Sequence, residues 1–377
     1  MKVLEILWRF FLLGLVSFGG PAAHIGYFRS AFVEKLRWLD DAAYGRLVAL
    51  SQFLPGPGSS QVGFAIGLER AGLAGAVAAF VGFTLPSFIL MASLASVSFE
   101  PTPVFTGIIH GLKLFAVVVV ADAVLSMYRS FCTSASASAV AIASAAALWL
   151  FPLLTTQMIV LIAAALIGLF ALRRPTSTSA AVARISYPPL ILFAVLFALV
   201  PFFTDFSEWV ALFNTFFQSG SLVFGGGHVV LPLLQQSLGD AISTERFLFG
   251  YAAAQAVPGP MFSLAAFLGS DLSPASPLLG AAVATLAIFL PGFLLVLGLY
   301  RGWEALARRP RIAAATAGLN AAVVGILLAA LYDPVFTNAV ASSADVALVA
   351  VGFFLFRGLN IPIIALLPLF ALVGVFL

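Results

Sequence analysis

Four landmarks of this chain occur twice, in one order and at nearly constant spacing. Val16-Ser17-Phe18-Gly19-Gly20-Pro21 returns as Leu222-Val223-Phe224-Gly225-Gly226-Gly227, with Phe18 and Phe224 206 residues apart. Gln52-Phe53-Leu54-Pro55-Gly56-Pro57 returns as Gln255-Ala256-Val257-Pro258-Gly259-Pro260, an offset of 203. Leu85-Pro86 returns as Leu290-Pro291 at 205, and Gly111-Leu112-Lys113 as Gly318-Leu319-Asn320 at 207. Single Gly/Pro matches are common in apolar chains. Four in register indicate a duplicated unit, so whatever fold one half adopts, the other repeats it.

The solvent of that fold follows from charge. Only 9% of residues are charged and 62% are apolar, with a mean hydropathy of +1.12. An average soluble domain carries about 25% charged residues. A surface this poor in charge does not hold a protein in water, so the environment is read as lipid. The formal net charge of +3 is too small to suggest nucleic acid. Cys132 is the one cysteine, and the three histidines His24, His110 and His228 form no Cys/His cluster with metal-ligand spacing.

A bilayer-crossing helix needs about 20 mainly apolar residues. On that measure the first half reads as spans 4–27, 42–69, 71–98, 104–128, 136–151 and 155–172, and the second as 208–235, 244–270, 277–299, 312–332, 338–356 and 361–377. A further run, 187–203, lies between them. The expected fold is therefore an all-α polytopic membrane protein: a first membrane repeat over 1–175, a linker and middle helix over 176–206, and a second membrane repeat over 207–377. Basic loops stay cytoplasmic. With the N-terminus inside, both Arg173–Arg184 and Arg301–Arg311 fall on the cytoplasmic side, and the odd middle helix makes the two repeats inverted. Arg29, Lys35, Arg37 and Arg46 would then lie outside, against the rule. Either 28–50 runs along the interface, or 42–69 (and 244–270 with it) is re-entrant instead of crossing.

Pro-Gly-Pro cannot sit in a continuous helix, since each proline removes an amide donor and clashes with the preceding turn. Spans 42–69 and 244–270 should each be two half-helices meeting at mid-membrane. Gly58, Ser59 and Ser60 should start a fresh helix with hydroxyls suited to capping, and Ser263 matches Ser60. Gly19 and Gly20, and Gly225, Gly226 and Gly227, should mark two further breaks. Helix N-termini present N–H groups and the positive end of a dipole, so they attract anions. Four breaks in two inverted repeats are expected to converge on one anion site near the midplane.

The substrate-binding candidates are these backbone positions, with Gly56 and Gly259 at the Pro-Gly-Pro centres, and the few polar side chains beside them. His24 and His228 lie close after the Phe-Gly-Gly breaks, either lining the site or packing through hydrogen bonds. Gln52 and Gln255 precede each Pro-Gly-Pro, lining the site or bonding helix to helix. Lys113 lies deep in a span, where a cation is costly; it would be the anion's counter-charge, or a snorkelling residue. Asp122 is the candidate for a coupling proton, with a structural pairing to a basic group as the alternative. No catalytic residue, metal site or cofactor is expected.

Phe18-Gly19-Gly20-Pro21-Ala22-Ala23-His24-Ile25-Gly26 and Leu50-Ser51-Gln52-Phe53-Leu54-Pro55-Gly56-Pro57-Gly58-Ser59-Ser60-Gln61 resemble the first-half signatures of the chromate ion transporter family. Phe224-Gly225-Gly226-Gly227-His228-Val229-Val230-Leu231-Pro232-Leu233-Leu234 and Ala254-Gln255-Ala256-Val257-Pro258-Gly259-Pro260 resemble its second-half signatures. The resemblance covers nearly the whole chain and matches the long, two-domain form. It implies gradient-driven export of chromate, with sulfate as a related oxyanion, across the plasma (inner) membrane of a bacterium. Partners would be the oxyanion and the lipid bilayer; a homodimer is left open. Two other functions share parts of the pattern. A passive anion channel would use the same half-helices. An intramembrane enzyme acting on a lipid phosphate would need acid/base partners at the breaks, but Glu69, Glu100, Asp205 and Glu208 sit at span ends.

Overall fold

The computed structural model describes residues 2–18, 20–96, 102–171, 185–223, 230–303 and 309–376, and within them regular structure is helical throughout, with no strand. Arg173, Arg174, Arg184 and Arg308 lie outside the described residues, as do Gly19, Gly225, Gly226, Gly227 and His228.

Local chemistry sets where helices stop. Helix α1 (Lys2–Val16) ends before the first Phe-Gly-Gly motif, and α2 (Gly20–Phe28) opens on its second glycine, with Gly20 at φ 75°, a conformation that costs glycine little. A π-helical turn (Arg29–Lys35) leads to α3 (Asp41–Phe53), which Asp40 caps by accepting from the Ala43 N–H at 2.7 Å. Helix α3 stops at Pro-Gly-Pro, and α4 (Gly58–Ala95) begins beyond it. Then come α5 (Pro103–Phe131), α6 (Ala135–Leu150) and α7 (Leu154–Ala171). Helix α8 (Tyr187–Leu199), with a 3-10 extension (Val200–Phe206), buries none of its side chains. The second half runs through α9 (Glu208–Ser221), α10 (Val230–Leu238) and α11 (Thr244–Ala256), a 3-10 turn (Met261–Ser263) and α12 (Leu264–Asp271). It closes with α13 (Pro277–Leu299), α14 (Pro310–Ala330), α15 (Ser343–Arg357) and α16 (Ile363–Gly374).

Helix α4 is two arms, not one rod. Ala71 (φ −151°, ψ 29°) and Gly72 (φ 63°, ψ −156°) leave helical geometry. A Cβ on Gly67 would collide with the Gly75 carbonyl, whereas a straight helix would hold those residues about 12 Å apart. The chain therefore reverses at 71–72, between the expected spans 42–69 and 71–98. The second half builds the same hairpin from α12 and α13, with Gly269 against Gly280.

Among the described residues, five helical stretches are long and apolar enough to cross a membrane by length and composition: Gly58–Ala95, Thr106–Phe131, Tyr187–Phe206, Pro277–Leu299 and Pro310–Ala339. Spans 4–27, 42–69 and 244–270 are interrupted at their Gly/Pro motifs; in span 208–235 the helix ends at Ser221, and the motif itself lies outside the described residues. Two further expectations need correction. Span 338–356 is broken: the preceding helical stretch runs on to Ala339, and a new helix starts at Ser343, where Ser342 and Asp345 form a capping box. Span 361–377 yields a 12-residue helix, roughly 18 Å long, which is too short to cross alone.

The chain divides into two compact units, and each takes helices from both halves. The first comprises 1–97, 182–230 and 253–304; the second comprises 98–181, 231–252 and 305–377. In the first unit α1 packs along α4 and α9 along α13. A Cβ on Gly14 would lie 2.6 Å from the Phe83 carbonyl oxygen, and one on Gly220 would collide with that of Ile288; these are the same contacts one repeat apart. The core beside them is aromatic. Phe10, Phe28, Phe32 and Phe83 cluster with centroids 4.7–6.4 Å apart, and Phe64 stacks on Phe293 at 4.2 Å.

In the second unit the halves exchange helices. Helix α5 packs with α15 and α16, while α14 packs with α6 and α7. Gly111 of α5 abuts the Phe370 carbonyl of α16, and Gly318 of α14 abuts the Ala164 carbonyl of α7. Small residues let helix backbones approach where lipid offers no hydrophobic drive for association. Gly111→Ala and Gly318→Ala should each lower the unfolding temperature of the detergent-solubilised protein, at a cost of about 1–3 kcal/mol. Gly45→Ala, exposed on α3 with nothing within 4 Å of the added methyl, should not destabilise in the same thermal assay.

Candidate functional site

Both Pro-Gly-Pro turns lie in the first unit, and they are built alike. Gly56 sits at φ 121° and Gly259 at φ 107°. The Gly56 N–H donates to the Val223 carbonyl at 2.7 Å, and the Gly259 N–H donates to the Ser17 carbonyl at 2.9 Å. Val223 precedes Phe224 as Ser17 precedes Phe18, so each Pro-Gly-Pro is tied to the residue just before the other repeat's Phe-Gly-Gly motif. Packing follows the same exchange. A Cβ on Gly56 would come 3.0 Å from the Gly292 Cα, just past Pro291, and one on Gly259 would come 3.0 Å from the Ser87 Oγ, just past Pro86.

Each turn launches a helix that no side chain caps. Pro57 occupies the N-cap position of α4, and the first intrahelical bond runs from the Gln61 N–H to the Pro57 carbonyl at 2.9 Å. The amides of Gly58, Ser59 and Ser60 precede that bond and have no partner within their own helix. The expectation that the serines cap is corrected here. They fall inside the first turn, where a hydroxyl cannot reach back over the helix end, and proline at the cap offers no side-chain oxygen. Ser59 bonds the His24 Nδ1 at 3.1 Å instead. Ser60 is buried, and its Oγ has no partner. In the second repeat Ser263 ends the 3-10 turn that leads into α12, caps nothing, and also buries a partnerless Oγ. Ser60 and Ser263 are repeat mates, so matched helix starts carry matched free hydroxyls. Ser17 Oγ is a third.

His24 is wholly buried, and its Nε2 lies 3.2 Å from the Ser17 carbonyl. A carbonyl only accepts, so Nε2 carries the proton and Nδ1 accepts from Ser59. The ring links the first Phe-Gly-Gly break to the start of α4. Gln61, also wholly buried, donates through Nε2 to the Pro55 carbonyl at 2.8 Å and to the Gly292 carbonyl at 3.4 Å, while its Oε1 has no partner. It was not among the sequence candidates, although it is the first polar residue after the paired serines and its repeat mate is the apolar Leu264. Gln52 is exposed, whereas its mate Gln255 is buried and donates to the Met261 Sδ at 2.7 Å. Gly58 has only ordinary contacts, the nearest being the Ser51 carbonyl oxygen at 3.8 Å from an added Cβ.

The charged candidates belong to the second unit, and each has a partner there. Lys113 donates to Glu245 at 3.2 Å; the lysine side chain is 11% exposed and the glutamate 74%. Arg357 donates to Asp122 and, at 2.8 Å, to Ser126. Asp122 thus has the structural pairing weighed as its alternative. A further pair escaped the sequence reading: His110 Nε2 lies 2.7 Å from Asp345, which also accepts from the Ala341 and Ser342 amides. The Ser-x-x-Asp pattern at Ser342 is the signal that marks it. Arg29 donates to Asp41 and Glu34, so the anomalous basic segment is in part neutralised on the spot.

The sequence pattern described as chromate transporter matches residues 4–169 and again 210–375. The chain belongs to the chromate transporter family. Both limits of the second match lie 206 residues beyond the first, the offset between Phe18 and Phe224. A chromate transport protein of Pseudomonas aeruginosa is 28% identical over 350 residues, covering 88% of this chain and 81% of the relative. One from Cupriavidus metallidurans is 26% identical over 349 residues, 87% of this chain and 81% of the relative. An uncharacterized transporter of Methanocaldococcus jannaschii is 28% identical over 310 residues, 78% and 75% respectively. No solved structure matches. The family pattern and the apolar helices make this a multi-pass membrane protein, and both copies of the pattern include the break motifs described above.

Gly56→Ala forces a side chain into positive φ and against Gly292 and the Gln61 amide, so it should destabilise by about 1–3 kcal/mol. Gly58→Ala should be tolerated. Thermal unfolding of both variants in one detergent distinguishes them.

Proposed function

We propose that this chain is a secondary transporter that exports chromate across the bacterial inner membrane, driven by the membrane potential or the proton gradient. The anion is held where the two Pro-Gly-Pro half-helices begin. One observation carries the reading: two helix starts related by the repeat have no side-chain cap, and each carries a buried, partnerless serine hydroxyl. Broken helices at membrane depth leave groups that cost several kcal/mol each unless satisfied. An oxyanion satisfies amides and hydroxyls together, and the positive ends of the two helix dipoles favour its charge. Lys113, already answered by Glu245, is left out of the anion's immediate shell. Sulfate is a tetrahedral dianion of similar size and is the related substrate to test.

In proteoliposomes, chromate flux should depend on the imposed gradient, and Ser60→Ala and Ser263→Ala should each lower it about tenfold, the loss of one charge-assisted hydrogen bond. Wild-type flux in both variants would contradict the site. Gradient-independent flux that a protonophore leaves unchanged would favour the passive channel.

The repeats are proposed to be inverted, with the two Arg clusters facing the cytoplasm. The crossed bonds between repeats support a two-fold relation, and the charge distribution supports its axis lying in the membrane plane. In a Cys132→Ser background, Ser179→Cys and Ala307→Cys should be labelled by impermeant reagent from the cytoplasmic face only. Labelling from opposite faces would contradict inversion.

A further inference from the structure

The two helix starts are not equivalent, and the difference is Gln61. Its amide nitrogen faces the Pro55 and Gly292 carbonyls. Both can only accept, so the amide cannot be turned around. Its oxygen is thereby fixed as a buried acceptor with no donor to meet it, four residues past Pro57. The second repeat has Leu264 at this place. The hydroxyls of Ser17, Ser60 and Ser263, next to the breaks in sequence, are also partnerless, and all three can donate. A fully ionised tetrahedral oxyanion offers only acceptor oxygens. It would meet the hydroxyls well and set one anionic oxygen against the Gln61 oxygen, an arrangement that is repulsive and leaves the acceptor unpaired.

Building on the site proposed above, we infer that Gln61 selects an oxyanion that keeps one hydroxyl near neutral pH. Its amide oxygen accepts from that hydroxyl while the serines and free amides donate to the remaining oxygens. Hydrogen chromate is such an ion, because it gives up its last proton close to neutrality. Hydrogen sulfate and hydrogen selenate are strong enough acids to be fully ionised there. Selenate and chromate share charge and tetrahedral shape, so a site built only of donors would take either. A site built to pair with a substrate hydroxyl rejects the analogue that lacks it.

Protein groups also titrate. His24 on α2 is linked to Gln61's own helix start through Ser59. The others on the elements packed against α4 are Lys2, Glu5 and Arg9 of α1, Tyr27 of α2, Asp41, Tyr44 and Arg46 of α3, Glu69 and Arg70 of α4 itself, and Asp271 of α12; α13 has none. Their titration would change chromate and selenate binding together, so the ratio of the two affinities isolates the proton on the ligand.

The test is equilibrium binding of radiolabelled chromate to the purified full-length protein in detergent, with selenate and sulfate as competitors, from mildly acid to mildly alkaline pH. Chromate should bind at least about tenfold more tightly than selenate on the acid side. The ratio should then fall by roughly tenfold per pH unit once hydrogen chromate ionises, as one-proton linkage requires. Gln61→Met, similar in length and without an acceptor oxygen of this kind, should bring the ratio close to one and remove its slope; thermal unfolding reports whether the variant is folded. If it does not fold, the wild-type ratio alone decides. Equal affinity for chromate and selenate at every pH would overturn the inference and leave the export reading standing. No chromate binding at any pH would overturn both.

Discussion

Two crossed backbone hydrogen bonds, Gly56 N–H to the Val223 carbonyl and Gly259 N–H to the Ser17 carbonyl, hold the two repeats' broken helices together in the first unit. A Pro-Gly-Pro break at membrane depth removes two amide donors and strands others, and lipid supplies no replacement partners. Each glycine amide here is answered by the carbonyl of the residue that precedes the other repeat's Phe-Gly-Gly motif. The glycine amide of each Pro-Gly-Pro thus finds its acceptor in the other repeat, while the side chains of His24 and Gln61 serve carbonyls of their own repeat. This mutual dependence links the sequence duplication directly to the structure.

The second unit uses the same logic with whole helices. Helix α5 lies against α15 and α16 of the other half, and α14 against α6 and α7. The contacts pass through glycines one repeat apart, Gly111 and Gly318. Dispersion between closely approaching backbones is the main attraction available where lipid is as apolar as leucine. The ion pairs Lys113–Glu245 and Asp122–Arg357 and the hydrogen bond between His110 and Asp345 join elements from opposite halves in each case.

How much of this was legible in the sequence depends on how local its cause is. The breaks were legible because proline and glycine act on their own residues, and α3, α4, α11 and α12 start and stop where Pro-Gly-Pro says. The role of the serines was misread because capping depends on one position. Pro57 holds the cap, and Ser59 and Ser60 fall inside the helix, which leaves Ser60 free instead of used. Gln52 and Gln255 looked equivalent by spacing, yet one is exposed and the other buried, since burial is decided by neighbours the pattern does not name. The helix exchange in the second unit was not legible either. A glycine face advertises close packing without saying which helix fills it. Glu245, the partner of Lys113, is 132 residues away in sequence and had no spacing signal at all.

The central claim is that an oxyanion is bound at the paired helix starts. Its most direct measurement is the position of chromium in crystals soaked in chromate, located by anomalous scattering at the chromium absorption edge. The account predicts a chromium peak whose oxygens lie within hydrogen-bond distance of the Ser60 and Ser263 hydroxyls and the first amides of α4. A peak beside Lys113 and Glu245, with none at the Pro-Gly-Pro turns, would contradict it.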